Sequence, residues 1–304
     1  MATYHSGEIA VQERAGLARQ AEFSLGGIGE SIPPVAKDFL AQQPLIVLGG
    51  ADHDGRIWAT QLTGEPGFLR VPDPRTLLVD ALPLPEDPLA QTLNGASAAR
   101  IGMIAIEPAT RRRMRINGRA RREGDGLRVD LDQVIANCPK YLQKRDHHRA
   151  GPQESTARRT VTDATALDPA QQQAVRAADT FFVATASDRG DADASHRGGN
   201  PGFVQVLSPT LLRWPDYVGN AMFLTLGNLL LNASAGLLVP DWQTGTTLHL
   251  SGTARTVWDA EEIAKVPGAQ RLVEFSVEAV REITAASPLR WTSPGYSRFN
   301  PPAG

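Results

Sequence analysis

The sequence predicts a mainly β protein with flanking helices, built from two tandem copies of one small barrel domain. Two observations lead to this prediction. Motifs recur at a spacing of about 135 residues, and each copy consists of short apolar runs separated by glycine and proline. The chain has 304 residues, which suits two domains of roughly 150 residues each.

Three pairs of motifs carry the repeat. They are GEPGF at 64–68 with GNPGF at 199–203, TLL at 76–78 with TLL at 210–212, and NGRAR at 117–121 with SGTAR at 251–255. Aligned without gaps, residues 76–121 and 210–255 share 10 identities in 46 positions, where roughly 3 are expected by chance. The period is far too long for a solenoid unit, so each copy is a domain.

The predicted elements follow the same order in both copies. A helix comes first, at 34–41 and again after Asp168, which is a good N-cap with Pro169 at the first helical position. The elements that follow are a buried strand at 45–48 and 181–184, a turn at 54–55 and 189–190, and strands that begin at 67 and 202 and at 76 and 210. Such closely spaced short strands favour an antiparallel barrel over a doubly wound sheet.

We divide the chain into three regions. Residues 1–142 hold an N-terminal helical segment, with an amphipathic stretch at Ile9, Val11 and Leu17, and a degenerate barrel copy. Residues 165–304 hold the second copy with a C-terminal extension. Residues 143–164 are polar and basic without apolar periodicity, so we interpret them as a linker, and its His147 and His148 as solvated rather than metal-binding.

Composition excludes several classes of function. Thirty-one Lys and Arg face 33 Asp and Glu, a net charge of −2, which argues against a protein coated with basic residues for nucleic acid or an anionic membrane. The single cysteine, Cys138, allows no intrachain disulfide, and we interpret it as a small buried side chain. Without a signal-peptide pattern or a long apolar run, we expect a cytoplasmic protein that has no membrane span and binds no metal.

The two copies differ in two segments that carry the polar groups needed for ligand binding. Copy one reads TQLTG at 60–64, whereas copy two reads SHRGG at 195–199 and so gains a hydroxyl, an imidazole, a guanidinium and a glycine. Those groups are suited to binding phosphate. A second differing loop, PDYVGN at 215–220, leads to TLGN at 225–228, which opens a helix whose amide end favours an anion. The pattern predicts an anion site in copy two; the alternative is a pair of turns with Arg197 in solvent.

These motifs, in this order, resemble the FMN-binding split β-barrel of the pyridoxamine 5′-phosphate oxidase family. The resemblance covers about residues 165–285 and includes SHRGGNPGFV at 195–204, PDYVGN at 215–220 and SGTA at 251–254. Copy one is a weaker match to the same fold, and NCPKY at 137–141 is similar to a segment of longer members. The resemblance implies two tandem split β-barrels that face each other, with FMN at their contact.

The resemblance also implies a set of cofactor-binding residues. Ser195, Arg197 and the loop around Gly219 would hold the phosphate of FMN, and the ring would contact the backbone near Phe203. The complete set is Ser195, His196, Arg197, Gly198, Phe203, Val204, Asp216, Gly219, Asn220, Thr225 and Asn228. Members that oxidise pyridoxamine phosphate carry Ser-Arg-Lys where this chain has Gly-Asn-Ala at 219–221, so we expect no such activity here.

We therefore interpret the chain as an FMN-dependent oxidoreductase that acts on a small molecule, with a nicotinamide as electron donor and His196 as a candidate proton donor. The flavin would supply the redox chemistry. FAD and a deazaflavin are alternatives to FMN. Two other functions stay open: a flavin- or tetrapyrrole-binding carrier or sensor without turnover, and a structural protein whose site has decayed in both copies. We expect an internal pseudo-dimer of barrels, which could dimerise again through exposed faces.

Overall fold

Two eight-stranded antiparallel sheets form the body of the protein. The computed structural model describes residues 3–136, 138–151 and 158–302. The first sheet contains β1 (Ile28–Gly29), β2 (Leu45–Ala51), β3 (Ile57–Thr63), β4 (Leu69–Asp73), β5 (Thr76–Val79), β6 (Ala99–Glu107), β7 (Arg112–Glu123) and β8 (Gly126–Ala136). Its strand order is β3-β2-β6-β7-β8-β5-β4, and β1 pairs with β8.

The second sheet repeats this topology. A short strand, β9 (His147–Arg149), precedes it. The sheet contains β10 (Val161–Ala164), β11 (Thr180–Ala186), β12 (Ala192–Gly198), β13 (Gln205–Ser208), β14 (Leu211–Asp216), β15 (Ser234–Pro240), β16 (Thr247–Val257) and β17 (Arg271–Ile283). The order is β12-β11-β15-β16-β17-β14-β13, with β10 on β17, and β9 pairs with β18 (Leu289–Trp291). The predicted fold class, mainly β with two tandem split barrels, is confirmed.

Helices flank both sheets. Those of the described residues are α1 (Ser6–Arg14), α2 (Ala18–Leu25), α3 (Pro34–Ala41), α4 (Ala90–Asn94), α5 (Pro169–Ala177), α6 (Leu224–Leu231) and α7 (Ala260–Ala264). Asp168 caps α5 as predicted, because its carboxylate accepts from the backbone N–H of Gln171 in a capping box. The predicted amphipathic stretch at the N-terminus is wrong in one respect, since Ile9 is 43% exposed and only Val11 of α1 enters the core.

Two strands are buried on both faces, which explains their continuous apolar sequences. In β2, Ile46 and Leu48 lie in the core of the first sheet, whereas Leu45 and Val47 face the second copy. The same alternation occurs in β11, where successive residues enter the second core and the shared layer in turn. Because successive side chains of a strand point to opposite faces, each of these strands packs against an apolar environment on both sides.

Glycines let the two sheets approach closely in a reciprocal way. A Cβ on Gly102 would lie 2.4 Å from the backbone of Asp193, and one on Gly236 would lie 2.5 Å from the Cα of Trp58. In the repeat alignment Gly102 corresponds to Gly236, and Trp58 corresponds to Asp193. Because each contact is the image of the other, the two copies are related by a pseudo-two-fold axis.

The region predicted as a linker is partly built into the second copy. It supplies β9 and β10, and Arg145 forms a buried ion pair with Asp179 at 2.7 Å. His147 and His148 lie on β9 and are exposed, as predicted, and the ring of His147 lies 5.0 Å from that of Trp291. Residues 152–157 lie outside the described part of the chain, and the predicted domain bounds stay a prediction.

Two features are absent from the part of the chain that the structure describes. None of the helices among residues 3–136, 138–151 and 158–302 combines the length and apolar character needed to cross a bilayer. Within the same ranges, no three His, Cys, Asp or Glu side chains form a group that could hold a metal ion.

Candidate functional site

A cavity of about 250 Å³ lies where the second copy meets β7 of the first. Its walls come from the end of β12, from the loop between β14 and α6, and from β7 and residues 138–141 of the first copy. Eight of the predicted cofactor-binding residues line it: His196, Arg197, Gly198, Phe203, Asp216, Gly219, Asn220 and Thr225.

The other three predicted residues lie beside the cavity. Ser195 is fully buried behind the wall, and its hydroxyl accepts hydrogen bonds from Arg197 Nη1 at 2.7 Å and Arg115 Nη2 at 2.6 Å. Val204 belongs to the hydrophobic core of the second copy. Asn228 lines a neighbouring, larger cavity. These three residues do not line the cavity, and their role in cofactor binding stays a prediction.

Two arginines of the first copy enter the site. Arg113 and Arg115 are alternate residues of β7 and therefore project from the same face. Arg113 Nη1 lies 2.9 Å from Nδ1 of His196, and its Nε donates to the carbonyl of Cys138 at 2.9 Å. Arg115 Nη1 lies 3.2 Å from Oδ2 of Asp193. The first copy is thus part of the cavity wall and not only a structural partner.

A further arginine reaches the cavity from β17. Arg271 Nε lies 3.5 Å from Oδ2 of Asp216, and its guanidinium stacks over the ring of Phe223 at 4.8 Å. Its Nη1 atom is buried and has no hydrogen-bond partner among the residues that the structure describes. A charged donor left unpaired in this way favours an acceptor supplied by a ligand.

The arginines give the cavity a surplus of positive charge. Burial, and after it the neighbouring Arg115 and Arg197, lower the pKa of Arg113. Guanidinium groups nevertheless stay protonated in proteins, so the repulsion persists. The four guanidinium groups of Arg113, Arg115, Arg197 and Arg271 are matched by the two carboxylates of Asp193 and Asp216. This leaves two positive charges uncompensated when both carboxylates are ionised. Burial raises the pKa of Asp216 and so disfavours its charged form, which makes two the minimum.

His196 is held as a neutral ring. Its Nδ1 must accept the hydrogen bond from Arg113, because a guanidinium has only donors. Burial, and then the charges of Arg113 and Arg197, lower the pKa of His196 far below its usual range. The ring proton therefore sits on Nε2, which is buried and unpaired within the described part of the chain. A proton-donating role for His196 stays a prediction, and the neutral ring is suited to a hydrogen bond rather than to imidazolium chemistry.

The loop between β14 and α6 adopts unusual backbone conformations. Ala221 and Phe223 have φ values of 61° and 59°, in the left-handed region that non-glycine residues rarely occupy. The loop is fixed from outside, because the Asn220 carbonyl accepts from Ser24 Oγ at 2.7 Å. Phe223 directly precedes α6, so the first turn of this helix, with Thr225, faces the cavity. Strain of this kind concentrates at ligand sites.

Residues 138–141 close one side of the cavity. The rings of Tyr141 and Tyr217 lie 5.0 Å apart, and burial raises the pKa of Tyr217 to about 12. A Cβ on Gly198 would lie 2.1 Å from the carbonyl oxygen of Tyr141. Cys138 is exposed and lines the cavity, so its interpretation as a buried side chain is wrong: it follows the end of β8, beyond the last buried strand residues. Asn137 of the same motif lies outside the described residues.

The pseudo-two-fold axis generates an equivalent position in the first copy, and buried side chains fill it. Thr247 and His249 of β16 stand where β7 carries Arg113 and Arg115 in the repeat alignment. Thr60, the counterpart of Ser195, is hydrogen-bonded to the buried carboxyl of Asp87, and His249 Nδ1 lies 2.9 Å from the carbonyl of Ala59. These side chains stand in place of the arginine cluster, and burial raises the pKa of Asp87 and lowers that of His249.

Sequence reasoning missed Arg115 and Arg271. The run RRRMR at 111–115 held a usable signal, since alternation places Arg113 and Arg115 together and the pseudo-dimer brings β7 beside β12. Arg111 and Arg112 turn elsewhere, toward the Leu142 carbonyl and Glu107. Arg271 had no such signal, because it lies beyond the ungapped part of the repeat.

The chain is similar to several known proteins. Among solved structures, a putative pyridoxamine 5′-phosphate oxidase from Lactobacillus delbrueckii is 19% identical, with 38% of this chain and 94% of that chain covered and a TM-score of 0.33. An FAD binding protein from Mycobacterium smegmatis is 14% identical, with 40% and 98% covered and a TM-score of 0.29. HutZ, a heme storage protein from Vibrio cholerae, is 15% identical, with 44% and 99% covered and a TM-score of 0.28.

A comparison with curated proteins gives no match. A family model described as pyridoxamine 5′-phosphate oxidase matches residues 167–289. That range runs from the N-cap region of α5 to the start of β18 and contains the whole of the second copy's sheet except β10. Residues 167–289 are therefore similar in sequence to the pyridoxamine 5′-phosphate oxidase family, as expected from the motifs of the second copy.

Proposed function

We propose that the cavity between β7 and β12 binds FMN, and that the chain is an FMN-dependent oxidoreductase acting on a small organic molecule. The observation that carries this proposal is the surplus of at least two positive charges in the arginine cluster. A phosphate monoester carries about −1.5 to −2 charges at neutral pH. FMN ends in such a group, and so its phosphate would balance the cluster.

The donors of the cavity also suit this ligand. Arg271 Nη1 and His196 Nε2 are buried without partners in the described ranges, so both can donate to ligand oxygen or nitrogen atoms. The rings of Phe203, Tyr217 and Phe223 supply apolar contact. When bound, the flavin supplies the electron-transfer chemistry.

The chain's own residues would bind and orient the cofactor. Arg113, Arg115 and Arg197 would hold the phosphate by charge-assisted hydrogen bonds, and Ser195 would keep two of these guanidinium groups in place through its hydroxyl. His196 would donate from a neutral ring. Tyr217, with its pKa raised to about 12, stays protonated and adds no charge beside the ligand. We include a nicotinamide as electron donor in this proposal.

The test is the visible spectrum of the purified full chain together with the mass of any released cofactor. We expect the bands of oxidised flavin, the mass of FMN, and bleaching on anaerobic addition of NADH or NADPH. A Soret band, or the absence of any chromophore after incubation with FMN, would overturn the proposal. Bound FMN that no nicotinamide reduces would favour the carrier function instead.

A further inference from the structure

The thiol of Cys138 has no part in the proposed flavin chemistry, although it borders the cavity proposed to bind FMN. Its side chain is exposed and lines this cavity, as does Lys140 of the same segment. Two contacts hold the segment against the cavity. Arg113 Nε donates to the Cys138 carbonyl at 2.9 Å, and the Tyr141 hydroxyl donates to the Val218 carbonyl at 3.1 Å. The thiol is therefore fixed beside the arginine cluster and is open to solvent.

The surroundings of the thiol are positively charged after the ion pairs are counted. Asp193 and Asp216 balance two of the four arginines. Among the described residues of the cavity wall Asp216 is the only acid, whereas Lys140 adds a further positive charge. Arg113, which holds the Cys138 carbonyl, contacts no carboxylate in the described ranges and has only that carbonyl and a neutral histidine as hydrogen-bond partners. The thiol thus lies next to a guanidinium whose charge is uncompensated.

A separate observation indicates that this cavity takes an anionic ligand. Arg271 is 4% exposed, and its Nη1 has no hydrogen-bond partner among the described residues. A buried guanidinium donor is matched most strongly by an ionised oxygen, such as that of a carboxylate or phosphate. Because Cys138 lines the same cavity, an anion attracted to these donors is also brought close to the thiol.

Cys138 and Arg113 also interact electrostatically. Burial, followed by the charges of Arg115 and Arg197, lowers the pKa of Arg113, and the charge of a Cys138 thiolate partly opposes this effect. The thiolate is the attacking form in thiol–disulfide exchange, and thiols that take part in such exchange are commonly found exposed in electropositive surroundings. Both conditions are met at Cys138.

We propose that Cys138 is a modification site for disulfides of anionic thiols, and that the resulting mixed disulfide regulates ligand binding in the adjoining cavity. The Cys138 thiolate attacks one sulfur of the disulfide, so that a new S–S bond forms as the old one breaks and the other half leaves as a thiolate. The departing thiolate takes up the proton that Cys138 released, and the disulfide itself is the oxidant. The modification does not depend on flavin binding, whereas its effect on FMN rests on the proposed function.

The test compares three disulfides of different charge on the flavin-free full chain: anionic glutathione disulfide, neutral hydroxyethyl disulfide and cationic cystamine. Mass spectrometry gives the rate of modification at Cys138, and the rate with mercaptoethanol, a neutral thiol, corrects for the intrinsic reactivity of each disulfide. We expect the corrected rate for glutathione disulfide to exceed that for cystamine about tenfold at low salt. The difference should shrink as salt screens the charges. Equal corrected rates, faster reaction with cystamine, or no mixed disulfide would overturn the proposal.

Variants locate the origin of this charge selectivity. Arg113→Gln removes the uncompensated charge beside the thiol and should lower the ratio of the two corrected rates about threefold or more. Arg112→Gln is the matched control, because Arg112 pairs with Glu107, and it should leave the ratio unchanged. Cys138→Ser should gain no mass with any disulfide. Thermal unfolding shows whether each variant is folded, and an unchanged ratio in folded Arg113→Gln would overturn the proposal.

The regulatory part is tested with FMN. Bound FMN should slow the reaction of glutathione disulfide about tenfold, because its phosphate would balance the charges that attract the disulfide. Chain modified by glutathione disulfide should bind FMN about tenfold more weakly until dithiothreitol restores the thiol, and Cys138→Ser should not respond to this treatment. FMN binding without either effect would overturn the regulation. Failure of the chain to bind FMN would instead refute the proposed function, while the charge selectivity of the flavin-free chain would still decide whether Cys138 is the modification site.

Discussion

Replacing Arg113 by glutamine tests the arginine cluster directly. Arg113 projects into the cavity and contacts His196 and the Cys138 carbonyl. The change removes one positive charge and keeps an N–H donor on the same face of β7. A hydrogen bond between a guanidinium and a phosphate contributes about 1.5–3 kcal/mol. Because about 1.4 kcal/mol corresponds to a tenfold change in Kd, the Kd for FMN should rise about 10- to 150-fold.

The same change should have the opposite effect on the flavin-free protein. Burial and the charges of Arg115 and Arg197 disfavour the charged form of Arg113, as its lowered pKa indicates. Removing that charge relieves the repulsion, so the melting temperature of the flavin-free variant should rise. A residue that only supported the fold would lower it.

Fluorescence titration of the flavin-free chain with FMN and with riboflavin provides the assay. Riboflavin lacks the phosphate, so its Kd should change by less than about threefold. Arg112→Gln is the matched control, because Arg112 is the preceding residue of β7 and pairs with Glu107 at 2.7 Å. Equal weakening of FMN and riboflavin, or equal effects of the two variants, would refute the assignment of the phosphate to this cluster.

Three other outcomes are expected. Gly198→Ala should lower the free energy of unfolding by about 1–3 kcal/mol in a denaturant titration, because the new Cβ would lie 2.1 Å from the Tyr141 carbonyl oxygen. Gly219→Ala is the control and should change the free energy of unfolding little, because its Cβ would lie 4.0 Å from the nearest atom, the Tyr217 carbonyl oxygen. Burial raises the pKa of Glu8 from 4.5 to about 7, so the folded chain binds this proton more tightly than the unfolded chain. The stabilisation is complete below pH 4.5 and is lost as the pH rises through about 7, and Glu8→Gln should remove this slope from unfolding curves measured across that range. Finally, the FMN-loaded chain should form no pyridoxal phosphate from pyridoxamine phosphate, because the FMN phosphate already matches the arginine cluster of this cavity. Sustained product formation in an absorbance assay would contradict this.

The architecture was predictable because its signals are local. The continuous apolar runs of β2 and β11 and the glycines at matching positions of the repeat each reflect a short stretch of chain. Strands β9 and β10 were not predictable in the same way, since their partners, β18 and β17, lie more than 100 residues further along. A polar sequence without periodicity gives no sign of such pairing.

The candidate site was predictable only on the side that belongs to one copy. His196 and Arg197 stood out because they differ from their counterparts in copy one. Arg115 required knowledge that β7 lies against β12, which is a property of the packing between copies. Asn228 was predicted to bind the cofactor because of its place in a helical motif. The helix instead directs it toward the neighbouring, larger cavity, where its Oδ1 accepts from His5 Nε2 at 3.0 Å.

The reciprocal glycine contacts have a consequence for how such a protein can diverge. Two identical subunits carry every substitution twice, so a change that fills one site fills the other as well. Joining both halves in one chain removes this constraint while the shared layer, held by Gly102 against Asp193 and Gly236 against Trp58, stays two-fold in shape. The site at the second copy could then keep its arginine cluster while the site related to it by the pseudo-two-fold axis was filled by buried side chains.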